Sequence, residues 1–206
     1  MRLPMLPVAD SCAVCSATLV GGDGESVCED CTLRSRPAFE RSACALRYEG
    51  AARELVRRFK FRRAFHWRDD FADFMEAAVS SRFEAAAIDA VVPVPMAFWH
   101  RWNRGYSPAA ILARALAARL ERRYEGGALG RIGHPRRQSE LPAAERRTNV
   151  IGTFAVRRPE WVRGRTLLVV DDIMTTGATL SECARVLLAA GAERVWVATL
   201  ARTPRD

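Results

Sequence analysis

Apolar residues recur along this chain in two rhythms, and their alternation predicts the fold class. In residues 51–63 and 68–83, Leu55 and Phe59, then Phe71, Phe74, Met75 and Val79, return at three- and four-residue steps. That spacing lines one face of an α-helix. Residues 88–92, 166–170 and 195–200 are instead short, near-continuous apolar runs rich in β-branched side chains, as strands buried on both faces are. Pro93 and Pro95 close the first of them. Residues 107–123 predict a longer helix, with Ser107 as cap, Pro108 in the first turn and Gly126-Gly127 beyond its end. Residues 178–190 predict another, stopped by Gly191, and residues 129–132 and 153–156 predict two small strands. Strand–helix–strand order predicts an α/β protein with a parallel sheet and helices on both faces. Ligands of such sheets bind beyond the carboxyl ends of the strands, which points to the segments after Val94 and Val170.

The first 44 residues follow neither rhythm and hold five of the six cysteines: Cys12, Cys15, Cys28, Cys31 and Cys44. Cys12-x2-Cys15 and Cys28-x2-Cys31 are two pairs separated by twelve residues. Two such knuckles can close a tetrahedron of thiolates around Zn²⁺ at about 2.3 Å. Gly21-Gly22-Asp23-Gly24 supplies a turn between them. Two disulfides are the other pairing. The N-terminus has no long apolar core of the signal-peptide kind, so the expected compartment is the reducing cytoplasm, which favours zinc. Four thiolates leave no open position for catalysis. Cys44 is either a spare ligand or a small buried hydrophobe, and Cys183 belongs to a helix core. So small a ribbon needs its metal to fold. It is expected to dock on the main domain, a partner or nucleic acid. The expected division is a zinc ribbon over residues 1–44 and a main domain over residues 45–206, with residues 45–87 as its helical hood.

Charge narrows the partners. The net charge is +8 and the pI about 9.8, which calls for an anionic partner. Residues 131–165 hold nine Arg against three Glu. They form either a solvated surface or a basic loop facing an anionic site. Lys60 is the only lysine among 32 Lys and Arg residues, a candidate for a place where a compact ammonium serves and a planar guanidinium does not. No apolar run approaches the roughly 20 residues of a membrane span, so no membrane insertion is expected. His66, His100 and His134 have neither metal nor triad spacing.

The segment Leu167-Leu168-Val169-Val170-Asp171-Asp172-Ile173-Met174-Thr175-Thr176-Gly177-Ala178-Thr179 carries the most chemistry. An apolar strand delivers two carboxylates to the sheet edge, and a hydroxyl-rich turn then leads into a helix. Backbone N–H groups of Thr175, Thr176, Gly177, Ala178 and Thr179 can converge on a phosphate at the positive end of that helix. Gly177 permits close approach. A plain strand-to-helix turn would leave two adjacent carboxylates desolvated with nothing to offset the cost.

That segment resembles the phosphoribosyl pyrophosphate loop of type I phosphoribosyltransferases. From Cys12 to Arg202 the chain resembles the ComF/GntX family, which joins a zinc ribbon to that fold. The residues carrying the resemblance are the two CxxC pairs, Lys60-Phe61, Val92-Pro93-Val94-Pro95, Arg104-Gly105-Tyr106, Gln138 through Asn149 to Gly152 and Phe154, and the turn of residues 171–179. Ser107-Pro108 stands where relatives usually have Asn-Gln. The resemblance implies that Asp171 and Asp172 hold the ribose hydroxyls and that residues 175–179 hold the 5′-phosphate. It implies that Val94 and Pro95 begin a pyrophosphate loop working with Mg²⁺, and that residues 136–147 form a flexible loop. Arg101, Arg104, Arg136 and Arg137 are then candidates for the leaving pyrophosphate, because guanidinium forks suit phosphate oxygens.

By the same resemblance the expected function is a phosphoribosyltransferase linked to DNA uptake, acting beside a helicase-like motor on an unidentified acceptor. The alternatives are a non-catalytic sensor of phosphoribosyl pyrophosphate or a related nucleotide, and a binder of single-stranded DNA. Aromatics interleave the basic stretch only at Phe154 and Trp161, so base stacking has little to build on there.

Overall fold

The apolar runs assemble into one sheet and the helical stripes cover it. The computed structural model describes residues 3–96, 105–132 and 150–204. Along the chain lie β1 (Ser42–Arg47), α1 (Gly50–Arg62), α2 (Arg68–Ser80), β2 (Ala90–Pro93), α3 (Pro108–Arg119) and β3 (Arg123–Tyr124). There follow β4 (Leu129–Arg131), β5 (Phe154–Val156), α4 (Pro159–Val162), β6 (Thr166–Met174), α5 (Ala178–Ala189) and β7 (Arg194–Arg202). Five strands are parallel in the order β1-β7-β6-β2-β3. The small strands β4 and β5 pair antiparallel apart from that sheet.

Strand alternation divides the core in two. Leu168 and Val170 of β6 pack with Leu55 and Phe59 of α1, Phe71 and Met75 of α2, and Leu112 and Leu116 of α3. Leu167 and Val169 face the other way, onto Leu180, Cys183 and Leu187 of α5, Phe154 of β5 and Val162 of α4. All four β6 side chains are fully buried, which is why the run reads as continuous rather than alternating.

The cysteine-rich segment joins the second cluster through Cys12, Val14, Cys15, Cys31 and Phe39. It packs against the main domain. Leu6 N–H donates to the Ala45 carbonyl (3.0 Å), and the Ser16 and Ser42 hydroxyls pair at 2.7 Å. The buried Arg82 guanidinium donates to Ser11 Oγ (2.7 Å) and to the Gly24 carbonyl.

Tertiary pairing moves several element boundaries. Residues 42–47, which carry no strand expectation, form β1, with Ser42 opposite Val197. Their sequence, Ser-Ala-Cys-Ala-Leu-Arg, has no β-branched or aromatic residue, so pairing to β7 overrides weak propensity. The boundary expected after residue 44 falls inside this strand. Cys44 is buried there, its thiol donating to the Leu46 carbonyl (3.4 Å), and burial pushes that thiol up to about 11.

The helix expected over residues 107–123 ends at Arg119. Glu121 turns left-handed (φ 53°). Glu121 N–H then donates to the Ala118 carbonyl and Arg122 N–H to the Ala117 carbonyl, the paired closing bonds of a helix end. Arg123-Tyr124 is thereby released to pair with β2. At the start of α3, Ser107 Oγ accepts from Ala110 N–H (3.3 Å) and Pro108 occupies the first turn, both as expected.

Candidate functional site

The strand expected to stop at Val170 continues to Met174 because β7 stays paired with it, Asp171 opposite Thr199 and Ile173 opposite Ala201. Asp171 and Asp172 therefore lie within β6, and the strand's two-residue period sends them to opposite faces of the sheet. Asp172, 5% exposed, turns to the helical face. There Lys60 Nζ from α1 meets its Oδ2 at 2.8 Å and its Oδ1 at 3.1 Å. The chain's only lysine thus meets a carboxylate 112 residues further along the sequence.

Asp171 takes the other face. Loss of hydration, followed by repulsion from Asp172, pushes its carboxyl up to about 8, with Lys60 acting in the opposite sense. Arg131 of β4 lies within electrostatic reach of Asp171, and burial pulls its guanidinium down from the ordinary value. An Asp in the unfolded chain titrates near about 3.9. Asp171 thus holds its proton in the folded state over pH values where the unfolded chain has released it. Its contribution to stability is complete below about pH 4 and is lost as pH rises toward 8. Asp171→Asn is therefore expected to stabilise the protein more at pH 8 than at pH 5. The difference should be about 2 kcal/mol, from roughly 1.4 kcal/mol per pKa unit discounted for remaining solvent contact. Urea unfolding at the two pH values measures it, and a gain independent of pH would contradict the assignment.

Beyond Met174 the chain turns through Thr175, Thr176 and Gly177 into α5. Gly177 stands at the helix N-cap with φ 80° and ψ 2°, a left-handed conformation that glycine adopts without strain. A Cβ there would meet Met174 Sδ at 3.4 Å and Phe39 Cζ at 3.8 Å. The hydroxyl of Thr176 accepts from Ala178 N–H (3.3 Å). The first N–H groups of a helix have no partner within it and face outward with the positive end of its dipole. Asp171, Ile173, Met174 and residues 175–180 enclose a small cavity of about 50 Å³. Asp171 thus borders the expected phosphate turn, while Asp172 faces Lys60.

Val94 lies beside them, since its N–H donates to the Val170 carbonyl (2.9 Å). Val94 and Pro95 border a larger cavity of about 500 Å³, edged also by Tyr106, Tyr124, Arg114, Arg131 and Arg157. Tyr106 donates its hydroxyl proton to the Lys60 carbonyl (2.8 Å), tying the end of α1 to this rim. Arg101, Arg104, Arg136 and Arg137, with the expected flexible loop, lie outside the described residues. Two arginines, Arg131 and Arg202, drew no site role of their own from the sequence. Arg131 ends a strand that was expected, and Arg202 lies just past one. The only signal available was a charged residue at the carboxyl end of a buried run.

Cys12, Cys15, Cys28 and Cys31 bring their sulfurs within 4.8 Å of one another, with Cys15 and Cys28 Sγ 3.6 Å apart. Sulfurs on a tetrahedron with bonds of about 2.3 Å stand roughly 3.8 Å apart, so the set fits a metal ion of that kind. All six cysteines are free, and the alternative of two disulfides is not formed. Cys12 Sγ accepts N–H groups from Cys15 (3.5 Å) and Cys28 (3.3 Å). Hydrogen bonds from Cys15 and Cys31 hold the Cys12 thiol well below its ordinary range, and contacts with Cys12 and Cys15 drive Cys31 up. No helix among the described residues is long and apolar enough to cross a membrane.

A family model described as a phosphoribosyl transferase domain matches residues 72–206. Competence protein F of Haemophilus influenzae is 31% identical over 180 residues, spanning 85% of this chain and 78% of that protein. The DNA utilization protein YhgH of Escherichia coli O6:H1 is 30% identical over 180 residues, spanning 83% and 76%. Among solved structures, the glutamine phosphoribosylpyrophosphate amidotransferase from B. subtilis, complexed with ADP and GMP, is 22% identical with a TM-score of 0.43. That likeness covers 64% of this chain and 25% of that one.

Proposed function

This chain belongs to the phosphoribosyl transferase domain family, within the group of competence protein F and the DNA utilization protein YhgH, and from that premise we propose that it binds 5-phosphoribosyl 1-pyrophosphate at the carboxyl end of β6. The observation carrying this reading is the meeting of three features. They are the Lys60–Asp172 pair, the desolvated Asp171 and the left-handed Gly177 turn opening α5. Thr175, Thr176, Gly177, Ala178 and Thr179 take the 5′-phosphate on backbone N–H groups and hydroxyls. Asp171 and Asp172 take the ribose hydroxyls from either side of the strand end. Lys60 holds Asp172 in place through both carboxylate oxygens, a task for a single compact ammonium.

Val94 and Pro95 begin the pyrophosphate side, where Arg101, Arg104, Arg136 and Arg137 are the candidate contacts. Mg²⁺ bound with the ligand would supply charge neutralisation on the pyrophosphate side, next to Val94 and Pro95. Transfer from this compound passes through a cationic anomeric centre as pyrophosphate departs. The protein's work is to hold both ends, stabilise the leaving charge and exclude water. Cys12, Cys15, Cys28 and Cys31 would hold one structural Zn²⁺. The names of the relatives, competence protein F and DNA utilization protein YhgH, support a role in the use or uptake of DNA.

Titrating the zinc-loaded protein with phosphoribosyl pyrophosphate and Mg²⁺ in a calorimeter tests the reading. Micromolar binding, about 8 kcal/mol, is the expected result, and the absence of heat overturns it. Pyrophosphate release on adding candidate acceptors then separates a transferase from a sensor that only binds.

A further inference from the structure

Arg202, the last residue of β7, is 2% exposed and bridges two regions far apart in sequence. Its Nε donates to the Cys15 carbonyl (3.0 Å). Its Nη1 donates to the carbonyls of Met174 (3.2 Å) and Thr175. One planar guanidinium therefore grips the backbone of a metal-binding knuckle and the backbone of the phosphate turn. A second link runs parallel to it. Ala38 N–H donates to Ser181 Oγ on the first turn of α5 (2.9 Å), and Phe39 packs by Gly177.

The carbonyls held by Arg202 determine what the turn can offer a ligand. In a planar trans peptide the C=O of one residue and the N–H of the next point in opposite directions. Holding the Met174 and Thr175 oxygens toward Arg202 therefore directs the N–H groups of Thr175 and Thr176 away from it, as the phosphate turn requires. Thr203 N–H, donating to the same Met174 oxygen (3.0 Å), reinforces the first of these.

We infer that metal occupancy of the cysteine cluster and ligand occupancy of the phosphate turn are thermodynamically coupled, with Arg202 as the positioning residue between them. A knuckle without its metal loses the bonds that fix the Cys15 carbonyl. The guanidinium then loses one anchor, and the turn loses its fixed carbonyls. By linkage the effect runs equally in reverse, so a bound phosphate must make the cluster hold its metal more tightly. This rests on the ligand reading proposed above.

The test uses the full zinc-loaded chain and reads zinc rather than activity. Zinc release to a chromogenic chelator is timed with and without phosphoribosyl pyrophosphate in excess Mg²⁺, and heats of ligand binding are measured on the same samples. Ligand is expected to slow zinc release at least about fivefold in the natural sequence, the low end of allosteric coupling. In Arg202→Lys, which keeps the charge but not the fork, this protection is expected to vanish while zinc content stays at one per chain and ligand heat remains measurable. A merely structural Arg202 would instead speed zinc loss equally with and without ligand. Ser181→Ala cuts the second link alone and is expected to lose part of the protection; it serves where Arg202→Lys does not fold. Binding heat without protection overturns the coupling and leaves the ligand reading standing. Undiminished protection in a folded Arg202→Lys overturns the role of Arg202. No heat in the natural sequence overturns the ligand reading and the coupling with it.

Discussion

The double substitution Asp171→Asn/Asp172→Asn is expected to weaken phosphoribosyl pyrophosphate binding at least about a hundredfold and to leave the protein folded. Measured above about pH 8, where Asp171 releases its proton, each carboxylate would contribute a charge-assisted hydrogen bond worth about 1.5–3 kcal/mol. Losing both costs about 3–6 kcal/mol, or two to four orders of magnitude in affinity. The two substitutions act in opposite directions on stability. Asn at 171 removes a carboxylate that burial and its neighbour disfavour. Asn at 172 removes the carboxylate that pairs with Lys60, whose side chain is 26% exposed and so keeps some contact with water. Their offset makes the variant a fair control, and a thermal melt run beside the calorimetry verifies it. Lost binding with an intact melt supports the site; binding retained at full strength moves the ligand elsewhere. Asp172→Asn alone is expected to show the larger fall in melting temperature.

Removing the metal is expected to have the largest effect on stability. Structural zinc contributes about 10–16 kcal/mol of apparent free energy in isolated finger-like peptides at neutral pH. Here part of the cluster's order comes from packing, since Cys12, Val14, Cys15, Cys31 and Phe39 are built into the α5 face of the sheet. A net loss of at least about 3 kcal/mol, or roughly 10 °C in melting temperature for a chain of this length, is the expected result of Cys12→Ser or of chelation. Cys12 is the ligand to change because it is fully buried and accepts two backbone N–H bonds. Hydrogen exchange should report lost protection over residues 8–42 and near β1, with α1, α2 and α3 retained, because those helices belong to the other cluster. Uniform loss across both faces would show that the two halves of the core melt as one. No loss at all, with metal analysis finding none bound, would sink the zinc assignment.

Local information was enough to read most of this protein from its sequence. The three central strands announce themselves as β-branched runs because both their faces are buried, and α1, α2, α3 and α5 because each buries one stripe. The cysteine pairs and the run from Asp171 to Thr179 need only their spacing to suggest a metal and a phosphate. What was illegible depends on partners remote in sequence. β1 lacks strand-forming residues and exists because β7 pairs with it. The extension of β6 to Met174, which turns its two carboxylates to opposite faces, is likewise set by β7. Lys60 was singled out as a lone lysine, but only the packing of α1 on the sheet brought it to Asp172. Arg202 carried only the weak signal of a charge at the end of a buried run, because its meaning lies in backbone carbonyls at Cys15, Met174 and Thr175 that only the folded chain brings together. Sequence periodicity records which face of an element is buried; which charge meets which carboxylate or carbonyl is fixed by the sheet order and by the docking of the cysteine cluster, which no local pattern encodes.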